Sequence, residues 1–165
     1  MDTLRFRDTL SRFASGVVIV TTHDGERDYG ATVSAFCSVS LVPPLVLCCF
    51  RRESETARAL LKRGRFAVSL LGEDQGKLAR WFAEPVSDRF NGIAVSRTED
   101  GLALVEGAAA QLVCNIASHV MAGDHVVVFG LVNRIETAER APLVVFRSAF
   151  GTFQPGIFAG KDTSK

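Results

Sequence analysis

The fold follows most directly from residues 30–45, which read GATVSAFCSVSLVPPL. Small hydroxyl side chains fall on alternating positions here, at Thr32 and Ser34 and again at Ser38 and Ser40. In an extended strand this spacing places polar groups on one face and apolar groups on the other. A face of small uncharged hydroxyls can lie close against a flat polar ligand, although alternation alone also fits an ordinary half-buried strand.

The flanking sequence predicts many strands and few helices, without a regular alternation of the two. We predict strands at 17–22, 29–36, 45–50, 66–71, 109–120, 125–136 and 143–147, and helices at 4–15, 54–63 and 77–83. Asp24-Gly25 and Gly123-Asp124 mark hairpin turns, and Pro43-Pro44 interrupts pairing. This order disfavours a doubly wound parallel sheet and predicts a mainly β fold, a small closed antiparallel barrel with helices packed outside.

Length and composition indicate one ordinary globular domain. The chain has 165 residues, 47% hydrophobic and 22% charged, with a formal net charge of +1. We predict a single domain over 1–165, with its core at about 6–153 and a frayed tail at 155–165. The small net charge gives no case for nucleic acid or an anionic membrane as partner. Because Met1–Arg5 lacks the layout of a secretory signal, we expect a cytoplasmic protein.

The four cysteines indicate neither a disulfide framework nor a metal site. Cys37, Cys48, Cys49 and Cys114 show no C-x-x-C spacing and lie in apolar surroundings, where free cysteine behaves as a small buried hydrophobe. The three histidines offer no metal-ligand spacing either. We therefore predict no metal and four buried thiols.

An anion-binding site is predicted where a strand ends and a helix begins. Phe50 ends the strand, Arg51 and Arg52 follow, and Ser54 is placed to cap the helix that continues through Thr56. Free backbone N–H groups and the helix dipole favour an anion at such a point, and the arginines add charge. A plain helix cap with solvated arginines is the alternative interpretation of this segment.

Two further places have residues suited to a ligand. His125 follows the turn Gly123-Asp124, so it is held on rigid backbone yet stays accessible. Arg89 and Phe90 provide a cation and an aromatic ring in a predicted loop. This loop either covers a ligand or is an ordinary surface turn. The sequence contains no dinucleotide fingerprint, phosphate loop or nucleophile elbow, and a hydrolytic triad is not supported by three scattered histidines.

Taken together, these segments resemble the flavin reductase family, the split-barrel NAD(P)H:flavin oxidoreductases that partner two-component monooxygenases. The resemblance runs over about residues 6–153. Its motifs, in the family's order, are GVVIVTT at 16–22, GATVSAF at 30–36, SVSLVPPL at 38–45, FAVSLL at 66–71, LARWF at 78–82 and GDH at 123–125.

The resemblance implies a homodimeric split barrel that binds FMN or FAD and takes hydride from NADH or NADPH. It implies that the reduced flavin passes to a separate flavin-dependent oxygenase. The residues implied or predicted to contact flavin are Thr32, Val33, Ser34, Ala35, Ser38, Val39, Ser40, Phe50, Arg51, Ser54, Thr56, Arg89 and Phe90. His125 matches the residue near the flavin and nicotinamide rings.

Two other functions stay open on the sequence alone. A non-catalytic protein that carries or stores flavin needs most of the same residues. An enzyme of the pyridoxamine-phosphate oxidase type needs several basic residues converging on a substrate phosphate, and the Arg51-Arg52 pair alone makes this less favoured.

Overall fold

The computed structural model describes residues 1–86 and 88–154, so the tail predicted for 155–165 lies outside the described residues. The helices are α1 (Thr3–Ser11), α2 (Glu55–Arg63) and α3 (Gly76–Ala83). The strands are β1 (Ser15–Gly16), β2 (Val18–His23), β3 (Asp28–Val33), β4 (Phe36–Leu41), β5 (Pro44–Arg51), β6 (Arg65–Leu70), β7 (Val95–Arg97), β8 (Ala103–Val105), β9 (Ala110–Ala122), β10 (His125–Thr137), β11 (Leu143–Phe146) and β12 (Ala149–Thr152). No helix within the described residues is long and apolar enough to cross a membrane.

The main sheet has seven antiparallel strands in the order β3-β2-β6-β9-β10-β5-β4. Its two edge strands, β3 and β4, follow each other in the chain with only Ser34 and Ala35 between them. The sheet therefore curls until its edges approach at this two-residue connection, which we call the seam. The mainly β fold with flanking helices is confirmed. Barrel closure is not seen, because β3 and β4 are not paired in the part of the chain described.

Two apolar clusters lie on opposite faces of β2. Val18 and Val20 face a cluster that includes Phe66 and Leu60 of α2, whereas Ile19 between them faces a second cluster. This second cluster includes Phe82 and Ala79 of α3. A strand buried on both faces reads as a continuous apolar run, and VVIV at 17–20 has that pattern. The core thus fixes α2 and α3 on either side of the same strand.

Helix α2 forms where the sequence predicts it, because local signals mark where it begins and where it ends. Ser54 Oγ accepts a hydrogen bond from the N–H of Ala57 at 3.2 Å. Gly64 ends the helix with φ of 77°, a left-handed conformation that glycine adopts without strain. The N-terminus of α2 is thereby set directly after the end of β5.

The sequence prediction is wrong for two elements in the N-terminal half of the chain, the first helix and the strand at 29–36. The first helix ends at Ser11 rather than Ser15, because Ser15 and Gly16 pair with Val145 and Val144 of β11. The strand predicted at 29–36 is broken at Ser34 and Ala35, where the chain crosses the seam. A register shift follows between Ser38 and Ser40. The predicted single hydroxyl-lined face from Thr32 to Ser40 is therefore wrong, because the alternation is interrupted twice.

Candidate functional site

A cleft of about 990 Å³ opens between the seam, the start of α2 and the segment after α3. It lies in the size range of small-molecule and cofactor pockets, about 300–1,000 Å³. Three groups of residues line it. They are Arg27 and residues 31–35 on the seam side, residues 49–51 and 53–56 around the start of α2, and Phe82, Ala83, Pro85, Val86 and Arg89 on the third side.

Nine of the predicted flavin-binding residues line this cleft. They are Thr32, Val33, Ser34, Ala35, Phe50, Arg51, Ser54, Thr56 and Arg89. Ser38, Val39 and Ser40 lie further along β4, outside the lining. The fold thus brings the seam and the start of α2 together, although 20 or so residues of chain separate them.

The seam contributes mainly backbone to the cleft. The Thr32 hydroxyl donates to the carbonyl oxygen of Ala79 at 2.7 Å, so it fastens α3 to β3. The Ala35 carbonyl accepts from the N–H of Cys49 at 3.0 Å. Ser34 and Ala35 are themselves exposed. This wall is small and uncharged, which suits close approach by a flat ring.

The start of α2 gives the cleft an end that favours an anion. The N–H of Ser54 donates to the Arg51 carbonyl at 3.0 Å, which sets the turn before the helix. Ser54 caps Ala57, so Glu55 and Thr56 have first-turn N–H groups without an intrahelical acceptor. Aligned peptide dipoles place partial positive charge at this point. Arg51, which lines the same end, adds a full positive charge.

The third side of the cleft is held by Arg89. Its guanidinium donates to the Glu84 carbonyl at 2.7 Å and 3.1 Å and to the Gly30 carbonyl at 3.0 Å. The indole N–H of Trp81 donates to the Arg89 carbonyl at 2.9 Å. Arg89 thus ties the segment after α3 to β3, a role that the sequence did not indicate.

Phe90 lies behind the cleft rather than in its lining. Its ring meets that of Phe82 edge to face, with centroids 5.2 Å apart and an interplanar angle of 82°. Both rings press against Gly30, where an added Cβ would lie 2.6 Å from Cε1 of Phe82. Phe82 lines the cleft, so Phe90 supports one of its walls from behind.

His125 lies beside the cleft, outside its lining. It is the register partner of Arg51 in the pairing of β10 with β5, and paired residues share a face of the sheet. Its Nδ1 is 2.8 Å from Oδ1 of Asp124. That hydrogen bond and the charge of the ring lower the pKa of Asp124. The contact orients the imidazole and leaves Nε2 available on the other side of the ring.

The cysteines divide into two pairs. Cys48 and Cys114 are buried as predicted, and burial raises their pKa, that of Cys114 to about 12. The prediction of four buried thiols is wrong for the other two, because Cys37 is exposed and Cys49 is half-buried in the cleft. Burial and the proximity of Cys37 raise the pKa of Cys49. Since adjacent strand residues point to opposite faces, either Cys48 or Cys49 had to leave the core.

Several residues that line the cleft were not predicted as site residues. Arg27 falls in the connection between the predicted strands 17–22 and 29–36, and Phe82 falls in the predicted helix 77–83. Arg27 reaches the cleft because β3 packs against α2, and Phe82 reaches it because α3 packs against β3. Within residues 1–86 and 88–154, no three His, Cys, Asp or Glu side chains form a group suited to a metal ion.

Comparison with known proteins matches this chain to a described family. The flavin reductase like domain matches residues 10–154. A relative from Rhodococcus opacus, the reductase component of 4-nitrophenol 4-monooxygenase/4-nitrocatechol 2-monooxygenase, is 39% identical over 94% of this chain and 83% of its own length. The reductase component of 4-hydroxyphenylacetate 3-monooxygenase from Thermus thermophilus is 39% identical over 86% of this chain and 89% of its own.

A solved structure agrees with the same assignment. The NADH:FAD oxidoreductase SgcE6 of Streptomyces globisporus, in complex with NAD and FAD fragments, superposes with a TM-score of 0.90. It is 34% identical and the match covers 94% of this chain and 95% of that one. The curled antiparallel sheet with flanking helices places this chain in the class of mainly β proteins. Within that class, this chain belongs to the flavin reductase like family.

Proposed function

We propose that this protein is an NAD(P)H-dependent flavin reductase that supplies reduced flavin to a separate monooxygenase. The observation that carries the proposal is the cleft, which joins a small uncharged wall at Ser34 and Ala35 to an anion-favouring end at Ser54 and Thr56. A flavin nucleotide has the same two parts, a flat ring and a phosphate. Relatives named as reductase components of two-component monooxygenases support the assignment and the oxygenase partner.

The residues of the cleft fit FMN or FAD. The ring would lie against the backbone at residues 32–35, and the phosphate at the first turn of α2 with Arg51. When bound, a flavin would supply the hydride acceptor and a nicotinamide the hydride donor, so the hard chemistry belongs to these two molecules. The protein has to hold and orient them, and backbone donors at the seam would stabilise negative charge on the reduced ring. That division requires no nucleophile and no general base from the protein.

We also propose the split-barrel homodimer implied by the family resemblance. Helix α1 buries none of its residues, and Leu4, Phe6 and Leu10 on it are exposed, as is Phe13 just after it. Further apolar side chains are exposed on β4 (Val39 and Leu41), in the turn that follows it (Val42), on β9 (Val120 and Met121) and on β10 (Ile135). Exposed apolar surface of this extent is typical of a protein–protein interface. Light scattering after size exclusion should give twice the chain mass.

The proposed activity is tested by nicotinamide oxidation. Purified protein is supplied with NADH or NADPH and with riboflavin, FMN or FAD, and the loss of nicotinamide absorbance is followed. We expect turnover that saturates with added flavin, which also ranks the preferred flavin and the preferred hydride donor. Absence of turnover with every combination would refute the proposal.

His125 separates a reductase from a protein that only carries flavin. The carrier function is not favoured, because the relatives named above are reductases. We predict that His125→Ala leaves the flavin dissociation constant within about twofold but slows hydride transfer roughly tenfold or more, because ring positioning is lost. Stopped-flow absorbance measures the transfer step. His119→Ala, an exposed histidine change on β9, is the matched control and should leave transfer unchanged.

A further inference from the structure

Arg27 is a cation of the cleft and lies in the connection between β2 and β3. It lines the cleft between the hairpin of β2 and β3 and the start of α2. Its Nη2 lies 3.7 Å from Oε2 of Glu55, and the two side chains are 58% and 65% exposed. An ion pair this open and this long contributes little to stability, so each partner is free to exchange.

The turn before β3 holds Arg27 in place. Asp24 Oδ1 accepts hydrogen bonds from the N–H groups of Glu26 and Arg27, each at 3.0 Å. Asp24 Oδ2 accepts from the Tyr29 hydroxyl at 2.8 Å. The Arg27 guanidinium then stacks over the Tyr29 ring, with Cζ 4.5 Å from its centroid. A stacked, planar guanidinium loses little further freedom when it binds a ligand.

Two carboxylates at this end of the cleft offset the positive charge of Arg51. Glu53 and Glu55 both line the cleft beside the first turn of α2. Their carboxylates oppose the binding of an anion there, and Arg51 by itself leaves one of them uncompensated. Arg27 provides the second positive charge and already lies next to Glu55.

We propose that Arg27 recognises a nucleotide phosphate in the cleft by leaving Glu55 for that phosphate. The contact makes the cleft select FMN and FAD over riboflavin, which has the same ring and no phosphate. Arginine suits this role because its planar fork of N–H donors matches phosphate oxygens. The inference rests on the proposed flavin reductase function. The 2′-phosphate of NADPH is the other source of the same chemistry.

The test compares Arg27→Gln with the unchanged full-length chain. Riboflavin, FMN and FAD are titrated at one ionic strength, and flavin fluorescence reports binding. We expect the dissociation constants of FMN and FAD to rise roughly tenfold, the size of one lost charge-assisted contact, with riboflavin within about twofold. The KM values of NADH and NADPH are measured on the same samples.

Two further variants control for charge and for folding. Arg58→Gln makes the same charge change on the exposed side of α2, outside the cleft, and should shift none of the constants. Arg27→Lys keeps the positive charge and should keep most of the preference for FMN over riboflavin. It therefore reports on recognition even where Arg27→Gln disturbs the hairpin.

The outcomes separate this inference from the proposed function. A selective loss of FMN and FAD binding supports recognition of the flavin phosphate. A rise in KM confined to NADPH supports phosphate recognition with the 2′-phosphate as its source. Equal effects on riboflavin and FMN, or no effect on any ligand, overturn the role of Arg27 while flavin reduction by the unchanged protein stands. Lack of flavin binding by the unchanged protein would overturn both.

Discussion

Gly30→Ala is expected to raise the flavin dissociation constant at least tenfold and to lower the free energy of unfolding by about 1–3 kcal/mol, the usual cost of overpacking a core. The added Cβ would lie 2.6 Å and 2.9 Å from Phe82 and 3.1 Å from Phe90. Phe82 is 1% exposed and cannot withdraw. Since Phe82 lines the cleft and the Gly30 carbonyl accepts from Arg89, the disturbance reaches two of its walls. Flavin titration and urea unfolding measure the two effects.

Gly16→Ala is the matched control for this change. A Cβ at Gly16 meets nothing within 4 Å, and its backbone lies outside the left-handed region. We expect unchanged flavin binding and an unfolding free energy within about 1 kcal/mol of the original, in either direction. Wild-type flavin affinity in Gly30→Ala would show that the Phe82 wall does not shape the cleft.

Phe66→Ala is expected to lower the free energy of unfolding by about 3–5 kcal/mol, the range for removing a fully buried aromatic ring. Phe66 lies on β6 in the centre of the larger apolar cluster and has no exposed surface. Since domains of this kind are stable by about 5–15 kcal/mol, the loss is a large part of the total. Urea unfolding followed by tryptophan fluorescence gives the difference.

Gly130 provides the check on that mechanism. A Cβ there would lie 2.5 Å from Cζ of Phe66, so Gly130→Ala alone should cost about 1–3 kcal/mol. In the Phe66→Ala background the ring is gone, and the same change should cost much less. The two substitutions are therefore expected to be non-additive, as for residues in contact. Simple additivity would contradict the assigned packing.

Local signals predicted the long elements of this fold. Helix α2 has its serine cap and its terminal glycine, and the hairpin of β9 and β10 has Gly-Asp at its bend. The short strands β1, β7, β8 and β12 were missed, since each has two to four residues and no periodicity to detect. Their partners are supplied by the fold. Ser15 of β1, for example, pairs with Val145 of β11, which lies near the other end of the sequence.

The candidate site was predictable only where one segment held all the information. Ser54 with Arg51 could be inferred because a strand end, two arginines and a cap follow each other directly. Arg27 could not, because its relevance depends on β3 lying next to α2 in space. The hydroxyl pattern predicted a ligand-binding face over Thr32–Ser40, but only residues 32–35 of that segment line the cleft. The segment contributes to the cleft through the backbone of the seam. The Thr32 hydroxyl instead donates a hydrogen bond to the Ala79 carbonyl of α3.

The seam has a consequence for how such a protein can vary over evolutionary time. An edge of a sheet can offer backbone groups to a ligand, and at the seam these are N–H groups, because the Ala35 carbonyl already accepts from Cys49. Recognition of a ring by the main chain at Ser34 and Ala35, as proposed above, does not depend on a functional group in their side chains. Substitutions there would be free among small uncharged residues, which keep the wall open to the ring, apart from proline, which has no N–H to donate. Searches that rank sites by catalytic side chains would then pass over the part of this molecule that meets the ligand.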